Sequence, residues 1–237
     1  MKLRDFTTLT FDCYGTLIDW ETGMFEALKP LTSQVQGGVS RDRVLEAHAR
    51  QESSQQAAAP AMKYSELLAI VYKRLGEEWG VPAPWADCQA YGNAIKDWPA
   101  FADSVAALAY LKQHYKLVIL SNVDNESFAH SNRRLGVTFD AIYTAQDIGS
   151  YKPAQRNFEY MIDKLGTLGV AKPQVLHTAE SLFHDHGPAN RAGLSSCWIY
   201  RRHGQQGFGA TMDPGVTPKF DFRFTSMAEL AAAHRAE

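Results

Sequence analysis

The sequence predicts a doubly wound, mostly parallel α/β sheet of Rossmann-like architecture with an inserted helical cap. Three observations carry that expectation. From residue 98 onward, short apolar strand-like runs alternate with helical stretches, which implies right-handed βαβ crossovers and a parallel sheet. A long stretch of helical texture separates the first strand-like run from the others. Polar side chains capable of chemistry fall at the ends of the runs, the edge where open α/β sheets hold their ligands.

Taken in order, the first run centres on Leu9-Thr10-Phe11 and stops at Asp12-Cys13-Tyr14-Gly15-Thr16, where Gly15 permits a tight turn. From Asp19 to about Asp97, apolar residues recur at three- and four-residue spacing, as in Met24-Phe25-Leu28-Leu31, Val44-Leu45 and Leu67-Leu68-Val71-Leu75. The stretch Gln51 to Ala61 is rich in Gln, Ser and Ala, and its pattern does not decide between a helix end and a loop. After Trp98-Pro99, a helix over 104–114 leads to the strand Leu117–Leu120, which ends at Ser121-Asn122. A helix over about 126–135 then precedes Ala141-Ile142-Tyr143 and the loop Gly149-Ser150-Tyr151-Lys152-Pro153. A helix through Met161, the strand Val175–Thr178 and the run Ser196–Tyr200 follow, and the Gly-rich stretch 204–218 reads as a surface loop. These boundaries divide the chain into an α/β core, residues 1–18 and 98–237, and a cap, residues 19–97.

Composition narrows the function classes. At 237 residues the chain can bury one substantial core, or one core plus a smaller module. Hydrophobic residues at 45% and charged residues at 21% suit a globular protein, and a net charge of -2 argues against a nucleic-acid partner. No apolar run approaches the ~18 residues of a membrane span, and the N-terminal stretch lacks the apolar core of a signal peptide. Cys13, Cys88 and Cys197 are scattered and odd in number, which predicts reduced thiols in a cytoplasmic protein acting on a small molecule.

Asp12 stands where a strand end presents a carboxylate to a cleft, with Thr16, Ser121, Lys152 and Asp185 at matching ends. Phe11-Asp12-Cys13-Tyr14-Gly15-Thr16-Leu17 resembles the first motif of the haloacid dehalogenase superfamily. Leu120-Ser121-Asn122 looks like its second, Tyr151-Lys152-Pro153 its third, and the segment Glu180 to Gly193 its fourth. The resemblance runs from residue 7 to about 200 and is nearest to the type II, L-2-haloacid, dehalogenases. It implies that Asp12 attacks the halogen-bearing carbon of a short 2-haloacid to form an ester that water hydrolyses. Lys152 would keep Asp12 ionised, Thr16 would bond to it, and Ser121 and Asn122 would bind the substrate carboxylate. Asp185 would orient Lys152 or the water. The dehalogenases also place a cap arginine near the halide; Arg50, followed by Gln51, is the candidate, with Arg41 and Arg43 as alternatives. Relatives commonly dimerise, so a homodimer is compatible with the resemblance.

Tyr14 separates the branches of the superfamily. Phosphatases carry there a second Asp that protonates a leaving alcohol, whereas a halide needs no proton and an aromatic ring can wall an apolar pocket. That favours a reaction with no metal or organic cofactor. The fourth motif departs from the dehalogenases: Glu180 and Leu182 replace a Ser and an Asn, and Phe158 replaces a tyrosine, so the groups around the hydrolytic water are altered. Glu180 and Asp185 have the separation with which the phosphatases bind Mg²⁺ together with the nucleophile, and oxygen ligands suit that ion. The alternatives are therefore a Mg²⁺-dependent phosphatase using Asp12, Glu180 and Asp185, or an idle relative that binds a carboxylate. His184 reads as a pocket wall, and His177 as a satisfied core histidine.

Overall fold

In the computed structural model, which describes residues 1–237, the run Thr-Leu-Thr-Phe forms β1 (Thr8–Phe11) and is buried throughout. Such unbroken burial is expected of a parallel strand covered on both faces. Five helices of the insertion follow: α1 (Trp20–Ala27), α2 (Lys29–Thr32), α3 (Arg41–Ala58), α4 (Tyr64–Trp79) and α5 (Trp85–Gly92). The chain then alternates through α6 (Ser104–Leu111), β2 (Lys116–Ser121), α7 (Asn125–Leu135), β3 (Ala141–Thr144), α8 (Ala145–Ile148), α9 (Gln155–Thr167) and β4 (Val175–Ala179). It closes with α10 (Gly187–Ala192), β5 (Ser195–Ile199), β6 (Phe222–Phe224) and α11 (Met227–Ala236).

The six strands make one sheet in the order β3-β2-β1-β4-β5-β6, and every neighbouring pair is parallel. The strand order turns around between β1 and β4, so their carboxyl ends flank the crevice that a doubly wound sheet offers a ligand. Side chains alternate across the sheet. Leu117 and Ile119 of β2 join the larger apolar cluster, with Leu9, Leu111 and Phe128. Val118 and Leu120 point the other way, onto Phe158, Met161 and Leu165 of α9.

The helices between β1 and β2 bury Met24, Leu31, Leu67 and Val71 in an apolar cluster continuous with that of the sheet. The chain leaves and re-enters the sheet layer through paired segments. Ile18 bridges Ala100 in antiparallel fashion, Asp19 N donates to Pro99 O at 2.8 Å, and Phe101 N donates to Leu17 O at 3.1 Å.

Most of the Gln51 to Ala61 stretch proves helical, since α3 runs through Ala58 and ends in the turn before Pro60. The sixth strand and last helix lie beyond the sequence-based element set. β6 has only three residues, half-buried at the sheet edge, too short for a period-2 pattern to register. No helix is long and apolar enough to cross a membrane.

Candidate active site

Asp12 is the first residue past β1, and its N–H still donates to Thr178 O at 3.2 Å on the neighbouring strand. The carboxylate is thus carried by one of the two central strands of the sheet. The turn that follows requires glycine: Gly15 has φ +95°, and a Cβ there would lie 2.9 Å from Trp20 Nε1. That turn brings Thr16 back over the carboxylate. Thr16 Oγ1 donates to Asp12 Oδ2 at 2.8 Å and accepts from Glu180 N at 2.9 Å, tying the two central strand ends together.

Lys152 reaches the same carboxylate from the loop between α8 and α9. Its backbone is held from both sides by the Asn122 amide: Lys152 N donates to Oδ1 at 2.7 Å, and Nδ2 donates to Lys152 O at 2.9 Å. Its ammonium is fully committed. Nζ donates to Asp12 Oδ1 at 2.9 Å, Asp185 Oδ1 at 2.7 Å and Leu120 O at 2.9 Å, three acceptors for three protons.

Asp185 stands on a single π-helical turn, Leu182–His186, after β4. Its Oδ1 also accepts from His177 Nε2 at 2.9 Å, while Thr10 Oγ1 lies 2.9 Å from His177 Nδ1. The ring of Phe158 meets His177 edge-on at 5.1 Å. Burial works against ionisation of Asp185, but the Lys152 charge and the bond from His177 outweigh it and hold the carboxyl below the usual range. Burial raises the Asp12 carboxyl, with Lys152 opposing and the Asp185 charge adding to the rise. Burial alone would lower Lys152; its two carboxylate neighbours more than compensate, so the ammonium keeps its proton.

These groups face a cavity of about 40 Å³. Asp12, Lys152, His184 and Asp185 line it from the sheet edge. Trp20, Glu52, Gln56 and Tyr64 line it from the inserted helices, and Thr211 from the segment after β5. Tyr64 Oη donates to Glu52 Oε1 at 2.6 Å, and burial pushes the Glu52 carboxyl up to about 7. Burial pulls the His184 imidazole down to about 4, and its Nε2 has no partner. Ser121 Oγ and Asp185 Oδ2 are likewise buried without partners.

Of the residues expected from the sequence, Asp12, Tyr14, Thr16, Asn122, Lys152 and Asp185 come together at this edge, with Ser121 ending β2 beside them. Two expectations need correction, and one residue gains a second role. The Asn122 carboxamide braces the Lys152 backbone with Oδ1 and one Nδ2 proton, while the residue also lines the cavity. Arg50 points away from the cavity: its guanidinium is on the outer face of α3, 54% exposed, donating to Glu78 at 2.8 Å. Two residues along a helix is about 200° of rotation, so the face of α3 that meets the cavity carries Glu52 instead. Arg43 is exposed, and Arg41 lines a separate cavity of about 160 Å³.

The second correction concerns Glu180. Its side chain opens into that second cavity, where burial, then Glu21 and Asp12, push its carboxyl up to about 8. A magnesium ion held by Asp12, Glu180 and Asp185 would need these oxygens to converge, yet an ammonium already bridges two of them. No cluster of three or more His, Cys, Asp or Glu side chains is arranged to hold a metal. The residues present do not fit that ion.

His177, Glu52, Gln56, Tyr64 and Thr211 belong to the site although the sequence did not single them out for it. Only His177 left a signal, its place inside a strand pattern; the structure pairs it with Thr10, two residues before Asp12. Thr211 arrives through a loop anchored on α1: Arg202 Nη1 donates to Glu21 Oε2 at 2.6 Å, and Ala210 N donates to Glu21 Oε1 at 2.9 Å.

A parallel sheet in this order, with an aspartate ending one of its two central strands and a lysine bridging that residue to a second aspartate, defines a class of hydrolases. The family model of haloacid dehalogenase-like hydrolases matches residues 6–178, and the chain belongs to that family. Solved L-2-haloacid dehalogenases share its fold. The defluorinating enzyme Rha0230 is 22% identical, with 97% of this chain and 95% of that chain covered and a TM-score of 0.78. The enzyme from Xanthobacter autotrophicus is 17% identical, with 97% and 98% covered and a TM-score of 0.78. The Bacillus subtilis (strain 168) protein YfnB, provisionally described as a HAD-hydrolase, is 22% identical over 202 residues, 83% of this chain and 85% of its own length.

Proposed function

We propose that this hydrolase cleaves the carbon–halogen bond of short 2-haloalkanoic acids through an ester on Asp12. The observation that carries the proposal is the residue beside the Asp12–Lys152–Asp185 array. Two places after the nucleophile stands Tyr14, its hydroxyl 3.0 Å from Ser131 Oγ, where a phosphatase needs an acid for its leaving alcohol. A halide leaves without a proton.

An Asp12 carboxylate oxygen attacks the halogen-bearing carbon, and the carbon–halogen electron pair departs as halide. Water then adds to Asp12 Cγ and the acyl–oxygen bond breaks, releasing a 2-hydroxy acid, a proton and the restored carboxylate. Lys152 offsets the repulsion between Asp12 and an anionic substrate, which would otherwise keep the two apart. Ser121 Oγ is the free donor for the substrate carboxylate, and Asp185 Oδ2 the free acceptor for the water proton. Residues 19–97 act as a recognition domain over this chemistry. Three free, buried cysteines suit a reducing, cytoplasmic setting.

The test is halide release from 2-chloropropionate in the presence of EDTA. Asp12→Asn should lower it by roughly 10⁴-fold, the scale on which losing a covalent nucleophile acts. In a single turnover in oxygen-18 water, the label should enter the Asp12 peptide before it enters product. Magnesium-dependent hydrolysis of a phosphate ester with no halide release would overturn the proposal.

A further inference from the structure

The side of the cavity opposite the nucleophile has a chemistry of its own. Glu52 is 4% exposed, and its only protein partner is the Tyr64 hydroxyl on Oε1. No arginine lines the cavity, and the one lysine that does has spent all three protons elsewhere. A buried carboxylate with no cation is costly, and proteins rarely keep one without a partner. What surrounds it is aromatic and polar: Tyr14, Trp20 and Tyr64 line the same cavity, with the Gln56 carboxamide beside them. An unpaired carboxylate among aromatic rings is the arrangement that binds an ammonium group, through charge and through the electron-rich ring faces.

We propose that this cavity selects a substrate carrying a protonated amine, with Glu52 as its counter-ion and Tyr14, Trp20 and Tyr64 as its walls. The inference rests on the aspartyl-ester chemistry for the identity of the reacting end and adds the identity of the other end. Asp12 enters the cavity from the sheet edge and Glu52 from α3, so the amine lies away from the attacked carbon. The cavity is narrow, lined by twelve residues from both sides, which suits a small substrate. The class is a small halogenated amino acid. Burial pushes the Glu52 carboxyl up to about 7, and an ammonium beside it would favour the ionised form.

The experiment compares isosteres that differ in one group. Binding of β-alanine and of butyrate, an ammonium against a methyl, is measured by calorimetry on the wild type and on Glu52→Gln. Halide release is measured in parallel with 3-amino-2-chloropropionate and 2-chlorobutyrate. β-Alanine should bind at least 10-fold more tightly than butyrate. Glu52→Gln should cut the amine-over-methyl preference by at least 10-fold in both assays, within the range of one lost charge-assisted hydrogen bond. Equal binding of the two isosteres by the wild type overturns the inference even if the variant does not fold, and so does a preference unchanged in a folded variant. Glu52-dependent β-alanine binding without halide release from either chloro compound keeps the ammonium site and removes the dehalogenase chemistry. Halide release with no preference for the amine does the reverse.

Discussion

Lys152→Met tests whether the ammonium between Asp12 and Asp185 organises the site. Methionine keeps the length and apolar stem but removes the charge from a position 1% exposed, leaving two buried carboxylates that shared one nitrogen at 2.9 and 2.7 Å. Breaking a buried ion pair by deleting one partner costs about 3–5 kcal/mol. Two carboxylates about 5 Å apart at an effective dielectric near 20 repel by roughly 3 kcal/mol, which falls in the same range. Without the cation, both folded carboxyls have pKa values above their unfolded ones. Their stabilising contribution is then complete at low pH and is lost as pH rises through the raised values. Urea denaturation at pH 8 should show a loss of about 3–5 kcal/mol, or a fall of about 6–20 °C in melting temperature for a chain of this size. At pH 5 one carboxyl takes up a proton and the loss should shrink to half or less. A loss under about 1 kcal/mol, or one equal at both pH values, would refute the shared-cation account.

Two further outcomes follow from charge placement. Glu180, pushed up to about 8 from an ordinary 4.5, contributes stability at low pH that is lost as pH rises toward 8. The wild-type melting temperature should therefore fall between pH 6 and pH 9, and Glu180→Gln should flatten that fall in differential scanning calorimetry. Arg50→Ala should keep kcat/KM for halide release within about threefold and stability within about 1 kcal/mol, as for other exposed ion pairs. A tenfold rise in KM would instead bring Arg50 to the substrate.

What could be read from the sequence was whatever depends on neighbours along the chain. The strand ends at Asp12 and Ser121 were legible because an apolar run stopped abruptly at a polar turn, and the parallel sheet because such runs alternated with helical stretches. What escaped depends on rotation and on distance. Arg50 and Glu52 are two residues apart, yet one meets Glu78 and solvent while the other meets the cavity. In α3 the buried face is itself polar, with His48, Glu52, Gln55 and Gln56, so hydrophobic periodicity could not fix its phase. Glu180 and Asp185 have metal-binding separation, but the π-helical turn sends only Asp185 to the cavity that Asp12 faces. Thr211 reaches the site across nearly the whole chain, through a Gly-rich loop that carries no pattern of its own.

The pairing of Leu17–Asp19 with Pro99–Phe101 means that the sheet layer meets the whole insertion as a loop whose ends are already joined. Loop-closure entropy grows only with the logarithm of length, so extra residues hung from that junction add little to the cost of joining its ends. Asp12, Lys152 and Asp185 are all contributed from outside the loop, while Glu52, Gln56 and Tyr64 are contributed from within it. A substitution within the insert can therefore change what meets the cavity from above while Asp12, Lys152 and Asp185 stay where the sheet holds them.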